Sequence, residues 1–240
     1  MPPDLFDKSR EYDALLNQGL RLTGEPKEYF AAERIRDLRA QLGPGFAPRR
    51  ILDFGCGIGD TARLLAEAFP GARVVGVDTA GAAIGYARER YGSAQLDFVE
   101  LSSFEPSADF DLCYCSGVFH HISKSERTRA VQWIWDGLVA GGRFALFENN
   151  PWNLGTRAVM KLIPFDADAV PIDPNEAGAL IRAARWDSVS SPRFLFYFPR
   201  WLAPLRVLEP RLVHIPLGGQ YYLIALKPGK DVQRERDSHG

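Results

Sequence analysis

The chain is expected to fold as an α/β domain whose parallel sheet is covered by helices on both faces. From residue 50 onward, short apolar runs end repeatedly in an acid or a glycine, and helical stretches lie between most of them. The 240 residues are 46% apolar and 12% aromatic, which supplies a sizeable core and excludes a mainly disordered chain.

The elements follow in order. Residues 5–24 read as a short helix carrying Tyr12, Leu15 and Leu16. A second helix opens at Glu25-Pro26, runs through Ala31, Ile35, Leu38 and Leu42, and stops at Gly43-Pro44-Gly45. Strands are predicted at Ile51 to Phe54, Arg73 to Asp78, Leu96 to Glu100, Phe110 to Cys115 and Arg143 to Glu148. The helices between them are Thr61 to Phe69, Thr79 to Tyr91 and Ser123 to Val139, the last opened by a capping box, Ser123-x-x-Glu126. The stretch 101–109 is too short for a proper helix. Residues 149–173 read as a long irregular connection. Asp173-Pro174-Asn175-Glu176 then opens a further helix, with Asp173 as N-cap, and two strands follow at about 188–198 and 219–227. Between those strands Trp201, Leu205, Leu208 and Leu212 keep helical spacing.

Charge and cysteine content narrow the function. Lys plus Arg is 29 and Asp plus Glu is 30, so the net charge of −1 argues against a general nucleic-acid binder. Three cysteines with no CxxC cannot build a disulfide framework, which suits a reduced, cytoplasmic setting. Met1 to Leu5 holds neither a basic nor an apolar leader pattern, and no apolar run approaches the ~18 residues of a membrane helix. Integral membrane insertion is therefore not expected.

The decisive stretch is Asp53-Phe54-Gly55-Cys56-Gly57-Ile58-Gly59-Asp60, a strand running through a glycine turn into a helix. Such glycines let backbone approach a ligand closely. Asp60 stands where a dinucleotide fingerprint has its third glycine and would repel a pyrophosphate. Asp78, closing the second strand, is placed to accept two ribose hydroxyls. Together these features suggest a nucleoside with a non-phosphate extension.

With the DxGxGxG pattern complete at Asp53, Gly55, Gly57 and Gly59, the sequence resembles the class I S-adenosylmethionine-dependent methyltransferases. Asp111 and Leu138-Val139-Ala140-Gly141-Gly142 extend the resemblance over roughly residues 48–148. It implies a Rossmann-like, doubly wound, seven-stranded sheet, mostly parallel with an antiparallel last strand, plus N-terminal helices. Residues 1–47 would form a helical cap and 48–228 the methyltransferase domain, with 149–173 and 199–217 as pocket or lid insertions and 229–240 as a disordered tail.

The resemblance also implies a cofactor, S-adenosyl-L-methionine, and its contacts. Asp53, Gly55, Cys56, Gly57 and Gly59 form the loop around its amino-acid part, and Asp78 with Thr79 holds the ribose. Glu100-Leu101 best fits the adenine-reading slot, although the usual Asp is absent, with a solvated Glu100 as the alternative. Cys115 lies where backbone meets the methionine moiety, and its thiol reads as a small buried side chain rather than a nucleophile.

For the acceptor, Ser116-Gly117-Val118-Phe119-His120-His121-Ile122 follows strand four. One histidine, His120 in preference to His121, is a candidate general base, against a packing or capping role. Glu148 ends strand five at the same sheet edge, to orient the histidine or bind substrate, against a plain polar strand end. Asn149, Asn150, Trp152, Asn153 and Arg157, with Tyr12 from the first helix, are the candidate substrate contacts. Asn150-Pro151-Trp152 looks like the motif of amino-methylating DNA methyltransferases, but it follows strand five rather than strand four and lacks the second proline. Asp166 and Asp168 alone are weak metal evidence, and no metal is expected. The helix near 200–212 carries only Arg200, Arg206 and Arg211, so a lid or interface is favoured over membrane-surface binding.

The expected function is methylation of a small molecule, by preference at oxygen of a hydroxylated metabolite or sugar. The alternatives are nitrogen or carbon methylation by proximity, and a non-catalytic cofactor- or partner-binding protein. No nucleic-acid partner is expected, and the chain is expected to be a monomer or homodimer.

Overall fold

A computed structural model describes residues 19–163 and 169–229. Most of the first predicted helix, including Tyr12, the pair Asp166 and Asp168, and the tail from Lys230 lie outside the described residues.

The sheet grows from apolar runs that are buried on both faces, as parallel strands require. Strands β1 (Arg50–Phe54), β2 (Arg73–Asp78), β3 (Leu96–Glu100), β4 (Phe110–Ser116) and β5 (Leu138–Asn149) are parallel, and β8 (Gln220–Leu226) is antiparallel to β5. The order is β3-β2-β1-β4-β5-β8-β6. The predicted strand at 188–198 is present as two short pieces, β6 (Ser188–Val189) and β7 (Arg193–Leu195), each pairing with β8, so among the described residues the sheet has eight strands rather than seven.

Alternate residues of each strand face opposite layers. Ile51, Val74, Leu112, Ala145 and Tyr222 meet helices α1 (Lys27–Leu42), α2 (Asp60–Ala68) and α3 (Gly81–Tyr91) through Leu38, Leu65 and Ala87. Leu52, Val75, Cys113, Phe144 and Leu223 face helices α4 (Lys124–Gly137) and α6 (Pro174–Arg182) through Ile134 and Ile181. Asp111 ties the sheet at its N-terminal edge, where Oδ2 accepts the Arg49 and Arg50 N–H groups at 2.7 and 2.9 Å.

Several element ends depart from expectation. Helix α4 stops at Gly137, and the chain enters β5 directly at Leu138. Lys227 Nζ donates to the Trp135 and Leu138 carbonyls, both at 2.7 Å, satisfying oxygens that a longer helix would have used. Ser123 does not close a capping box: its hydroxyl donates to the Glu126 carboxylate at 2.6 Å rather than accepting a helix N–H. Asp173 does cap α6, accepting from the Asn175 and Glu176 N–H groups at 2.8 and 3.0 Å. Residues 149–173 are not wholly irregular, because α5 (Leu154–Leu162) forms there, with Asn153 accepting the Thr156 N–H at 2.8 Å as its N-cap. Arg200–Leu208 is a 3-10 stretch broken at Leu202 and continued by a short α-turn, α7 (Glu209–Leu212), because Pro204 removes a donor.

Gly59 fixes the strand-to-helix turn. Its φ is +87°, and a Cβ there would stand 2.7 Å from Phe98 Cζ and 2.9 Å from Ala87 Cβ. Gly59→Ala is expected to cost about 2–4 kcal/mol through backbone strain and overpacking, measured as a lowered urea midpoint. A loss below about 0.5 kcal/mol would contradict this account of the turn.

Candidate active site

Three strand ends converge at one edge of the sheet. At the end of β1 the glycine loop turns with φ of +76° at Gly55 and +52° at Gly57. Gly55 is pressed against Val118, so a Cβ would meet Cγ2 at 2.3 Å, whereas Gly57 faces open space. Asp78, at the end of β2, braces this loop: Oδ2 accepts the Gly57 N–H at 2.8 Å and Oδ1 the Ala80 N–H at 2.9 Å. Each oxygen keeps acceptor capacity for a further donor. Glu100 pairs with Asp78 in register, is exposed, and lies beside Gly81. Leu101 packs against the core, and Thr79 is exposed.

Asp53 lies beneath this loop, fully buried, and its Oδ2 has no hydrogen-bond partner. Burial, with the charge of Asp78 beside it, pushes its carboxyl up to about 8 against the opposing pull of Arg34. Cys56 and Cys115 are buried, and burial pushes both thiols well above their ordinary range, so neither is a nucleophile at neutral pH.

At the ends of β4 and β5 the expected His–Glu juxtaposition is present. Glu148 Oε2 is 2.6 Å from His120 Nδ1, and Oε1 accepts the Phe119 and Val118 N–H groups at 2.7 and 3.2 Å. Burial alone would raise the Glu148 carboxyl, but the facing His120 ring and the Phe119 N–H hold it below its usual value. With Glu148 ionised, this contact fixes the imidazole tautomer that carries its proton on Nδ1. The His121 ring packs on that of His120 with centroids 4.1 Å apart.

Arg127 holds the turn bearing both histidines, although the sequence reading did not single it out. It is 2% exposed; its Nε donates to the Phe119 and Ile122 carbonyls at 3.1 and 3.2 Å, and Nη2 to the Val170 carbonyl at 2.5 Å. Nη1 meets Glu176 at 3.0 Å, and the His120 carbonyl accepts the Val170 N–H at 2.9 Å. An arginine at the head of the apolar stripe Val131, Ile134 was the available signal.

A cavity of about 490 Å³ opens beside the histidines. Ser116, Gly117, His120 and His121 form one side. Aromatic and aliphatic groups, among them Phe30, Met160, Phe196 and Tyr197, form most of the rest. Phe196 has φ of +65°, a strained conformation for a bulky residue, and its ring stands edge-on to Phe30 at 4.9 Å. The polar floor is a chain of hydrogen bonds. Arg34 Nε donates to the Tyr114 hydroxyl at 3.1 Å, Arg34 Nη1 to Gln220 Oε1 at 2.9 Å, and Gln220 Nε2 to Asn149 Oδ1 at 3.0 Å. Arg34, Lys27 and Gln220 were not foreseen, because they reach the cavity from an N-terminal helix and from the start of β8.

The predicted substrate contacts divide. Asn149 and Asn153 line the cavity. Asn150 does not: it is fully buried and donates to the Pro216 and Gly218 carbonyls at 3.2 and 2.7 Å, fastening one loop to another. Trp152 lies outside the cavity lining, stacked near Phe194 with centroids 6.4 Å apart, and Arg157 is exposed outside that lining. Among the described residues no cluster of three or more His, Cys, Asp or Glu could hold a metal ion, and no helix is long and apolar enough to cross a membrane.

A doubly wound sheet with a glycine loop after β1, an acid after β2 and a cavity beyond β4 and β5 defines a nucleoside-cofactor transferase fold. Residues 51–142 match the family of methyltransferase domains. Trans-aconitate 2-methyltransferase of Rhodopseudomonas palustris is 30% identical over 139 residues, 57% of this chain and 54% of its own length. The protein of the same name from Variovorax paradoxus is 28% identical over 178 residues, 73% of this chain and 56% of its own. The chain thus spans about half the length of these curated relatives. A crystal structure of a SAM-dependent methyltransferase from Archaeoglobus fulgidus superposes with a TM-score of 0.63 at 18% identity, covering 84% of this chain and 95% of that one. Residues 51–142 are thus similar to methyltransferase domains, and the sheet has the fold of the S-adenosylmethionine-dependent methyltransferases. Their methyl donor fits what is present: Asp53 offers an orphaned buried oxygen to an ammonium, Gly57 leaves space, and Asp78 has acceptor capacity for ribose hydroxyls.

Proposed function

We propose that the chain methylates a hydroxyl group of a small molecule, with His120 as general base. The observation that carries this reading is the buried His120–Glu148 pair at the edge of the cavity. S-adenosylmethionine, when bound, supplies an electrophilic methyl group on a sulfonium. The chain's own residues then align the acceptor and remove its proton. Glu148 fixes the imidazole tautomer and stabilises the imidazolium that forms as Nε2 takes the proton. Asn149, Asn153 and Gln220 offer hydrogen bonds to a hydroxylated acceptor, and the aromatic wall receives its apolar part. In this reading Asp78 holds the ribose, the loop from Gly55 to Gly59 carries the amino-acid part, and Glu100-Leu101 borders the adenine.

The relatives' name favours a second reading, a carboxylate acceptor, for which Lys27, Arg34 and Arg206 in the cavity wall would be the recognition groups. Each is already engaged: Lys27 with Asp60, Arg206 with Glu25, and Arg34 with Tyr114 and Gln220. A carboxylate also needs no base, which leaves the His120–Glu148 pair without a task. Mass spectrometry of metabolite extracts incubated with the enzyme and deuteromethyl S-adenosylmethionine tests both. A labelled methyl ether supports the hydroxyl reading, and a labelled ester overturns it.

Asp53 gives the donor site a pH signature. Its raised carboxyl is protonated at neutral pH in the free protein and must ionise to meet the cofactor's ammonium. Binding is therefore expected to release a proton near pH 7 and to strengthen as pH rises toward about 8. Calorimetry in two buffers of different ionisation enthalpy measures that proton, and Asp53→Asn should abolish it. The same shift acts on stability with its own sign. A folded-state value above the unfolded one means that Asp53's contribution falls as pH rises from about 4 to about 8, then levels off.

A further inference from the structure

The rim of the cavity has a surface that the methyl-transfer reading leaves unused. Of the ten large apolar side chains that stand exposed among the described residues, nine fall in two segments, 152–162 and 199–217. Leu154, Trp201, Val207 and Leu217 are 76%, 74%, 71% and 65% exposed. The two segments meet where Asn153 Nδ2 donates to the Leu217 carbonyl at 2.6 Å, and Thr156 Oγ1 donates just beyond, to the Gly219 carbonyl at 2.7 Å. Trp201, with Gly155 and Ala158 from the same stretches of chain, lines the cavity, so this apolar surface borders its mouth.

Charge on this rim is one-sided. The chain as a whole balances 29 basic against 30 acidic residues. The two segments hold five basic residues, Arg157, Lys161, Arg200, Arg206 and Arg211, against one acid, Glu209. Glu209 is turned inward, its Oε1 accepting the Tyr197 and Phe198 N–H groups at 3.2 and 3.1 Å. Arg206 is paired with Glu25, while Arg157, Lys161, Arg200 and Arg211 are exposed. The 200–212 stretch alone is weakly basic; the fold brings Arg157 and Lys161 on α5 to the same rim.

Apolar side chains mixed with cations and lacking outward acids suit an anionic membrane interface, where the former enter the acyl boundary and the latter meet phosphates. A second copy suits the face less well. A two-fold interface of these two segments would set the same cations against each other, with Glu209, their one acid, turned inward. We propose that this rim docks the protein peripherally on anionic phospholipid, with the cavity mouth opening toward the bilayer. The proposal does not depend on the acceptor's identity.

Vesicle flotation of the full chain tests it. Binding is expected to vesicles of equal parts phosphatidylcholine and phosphatidylglycerol, to weaken with added salt, and to be absent on phosphatidylcholine alone. The double variants Val207→Asp with Leu217→Asp, and Arg200→Glu with Arg211→Glu, should each reduce partitioning about tenfold or more. Both should keep the wild-type melting temperature and S-adenosylmethionine affinity, which separates loss of docking from loss of fold or donor site. No binding to anionic vesicles, or variants that bind as wild type does, would overturn the proposal. So would a dimer, seen by light scattering, that the Val207/Leu217 variant dissociates in the absence of vesicle binding, because that outcome assigns the face to a second copy.

Discussion

His120→Gln is expected to bind S-adenosylmethionine with near wild-type affinity and to turn over about 10²–10⁴-fold more slowly. The side chain is 4% exposed, borders the cavity, and is held at Nδ1 by Glu148, so the substitution removes one basic atom from a site that stays otherwise formed. Glu148 stays ionised behind the ring at neutral pH, because His120 and the Phe119 N–H hold its carboxyl below its usual value despite burial. His121→Gln should fall far less, since its ring packs on that of His120 at 4.1 Å and it is His120 that Glu148 holds at Nδ1. If the His120 variant retained the wild-type rate, the base assignment would fail and a carboxylate acceptor would gain ground.

The second large effect belongs to the donor site. Asp78→Ala is expected to weaken S-adenosylmethionine binding by about 10²–10⁴-fold, since two hydrogen bonds to a charged acceptor contribute about 1.5–3 kcal/mol each. Part of the loss comes from the loop itself, because Asp78 fixes the Gly57 and Ala80 N–H groups. Asp78→Asn keeps one acceptor oxygen and should fall between the two. Isothermal titration gives the affinities, and the melting temperature shows whether the fold survives. Undiminished binding in Asp78→Ala would remove Asp78 from the donor site.

What could be read from sequence was local and backbone-determined. Gly55, Gly57 and Gly59 need positive φ, so the turn after β1 was written in the residues themselves. The acid closing β2 and the Asp173 cap were legible for the same reason, because each acts on backbone within a few residues or on a neighbouring strand. The missed features depend on long-range placement. Arg34 reaches Gln220 across 186 positions, and Asn150 fastens to Pro216 and Gly218 across 66 and 68. Asn150 and Asn153 were equal candidates as polar loop residues. Both fasten loops, but the fold buries Asn150 completely and leaves Asn153, which caps α5 and reaches the Leu217 carbonyl, on the cavity lining, and no local pattern separates them. Helix α5 was hidden because Asn153, Gly155 and Pro151 gave its start the composition of a turn.

The cavity wall has a consequence for how this protein and its relatives diverge. Apart from Ser116, Gly117, His120 and His121, the lining comes from residues 20–34, 149–163, 196–206 and 219–220, all outside the 51–142 stretch that matches the family. The family match and most of the cavity wall thus occupy different stretches of the chain. Substitutions or insertions in the wall can recruit a new acceptor without disturbing the glycine loop or the two layers that hold the sheet. A family match over residues 51–142 therefore carries little information about the cavity wall, and a chimera is the direct experiment. Grafting another member's segments 149–163 and 196–220 onto this core should move acceptor choice with the graft and leave donor affinity behind.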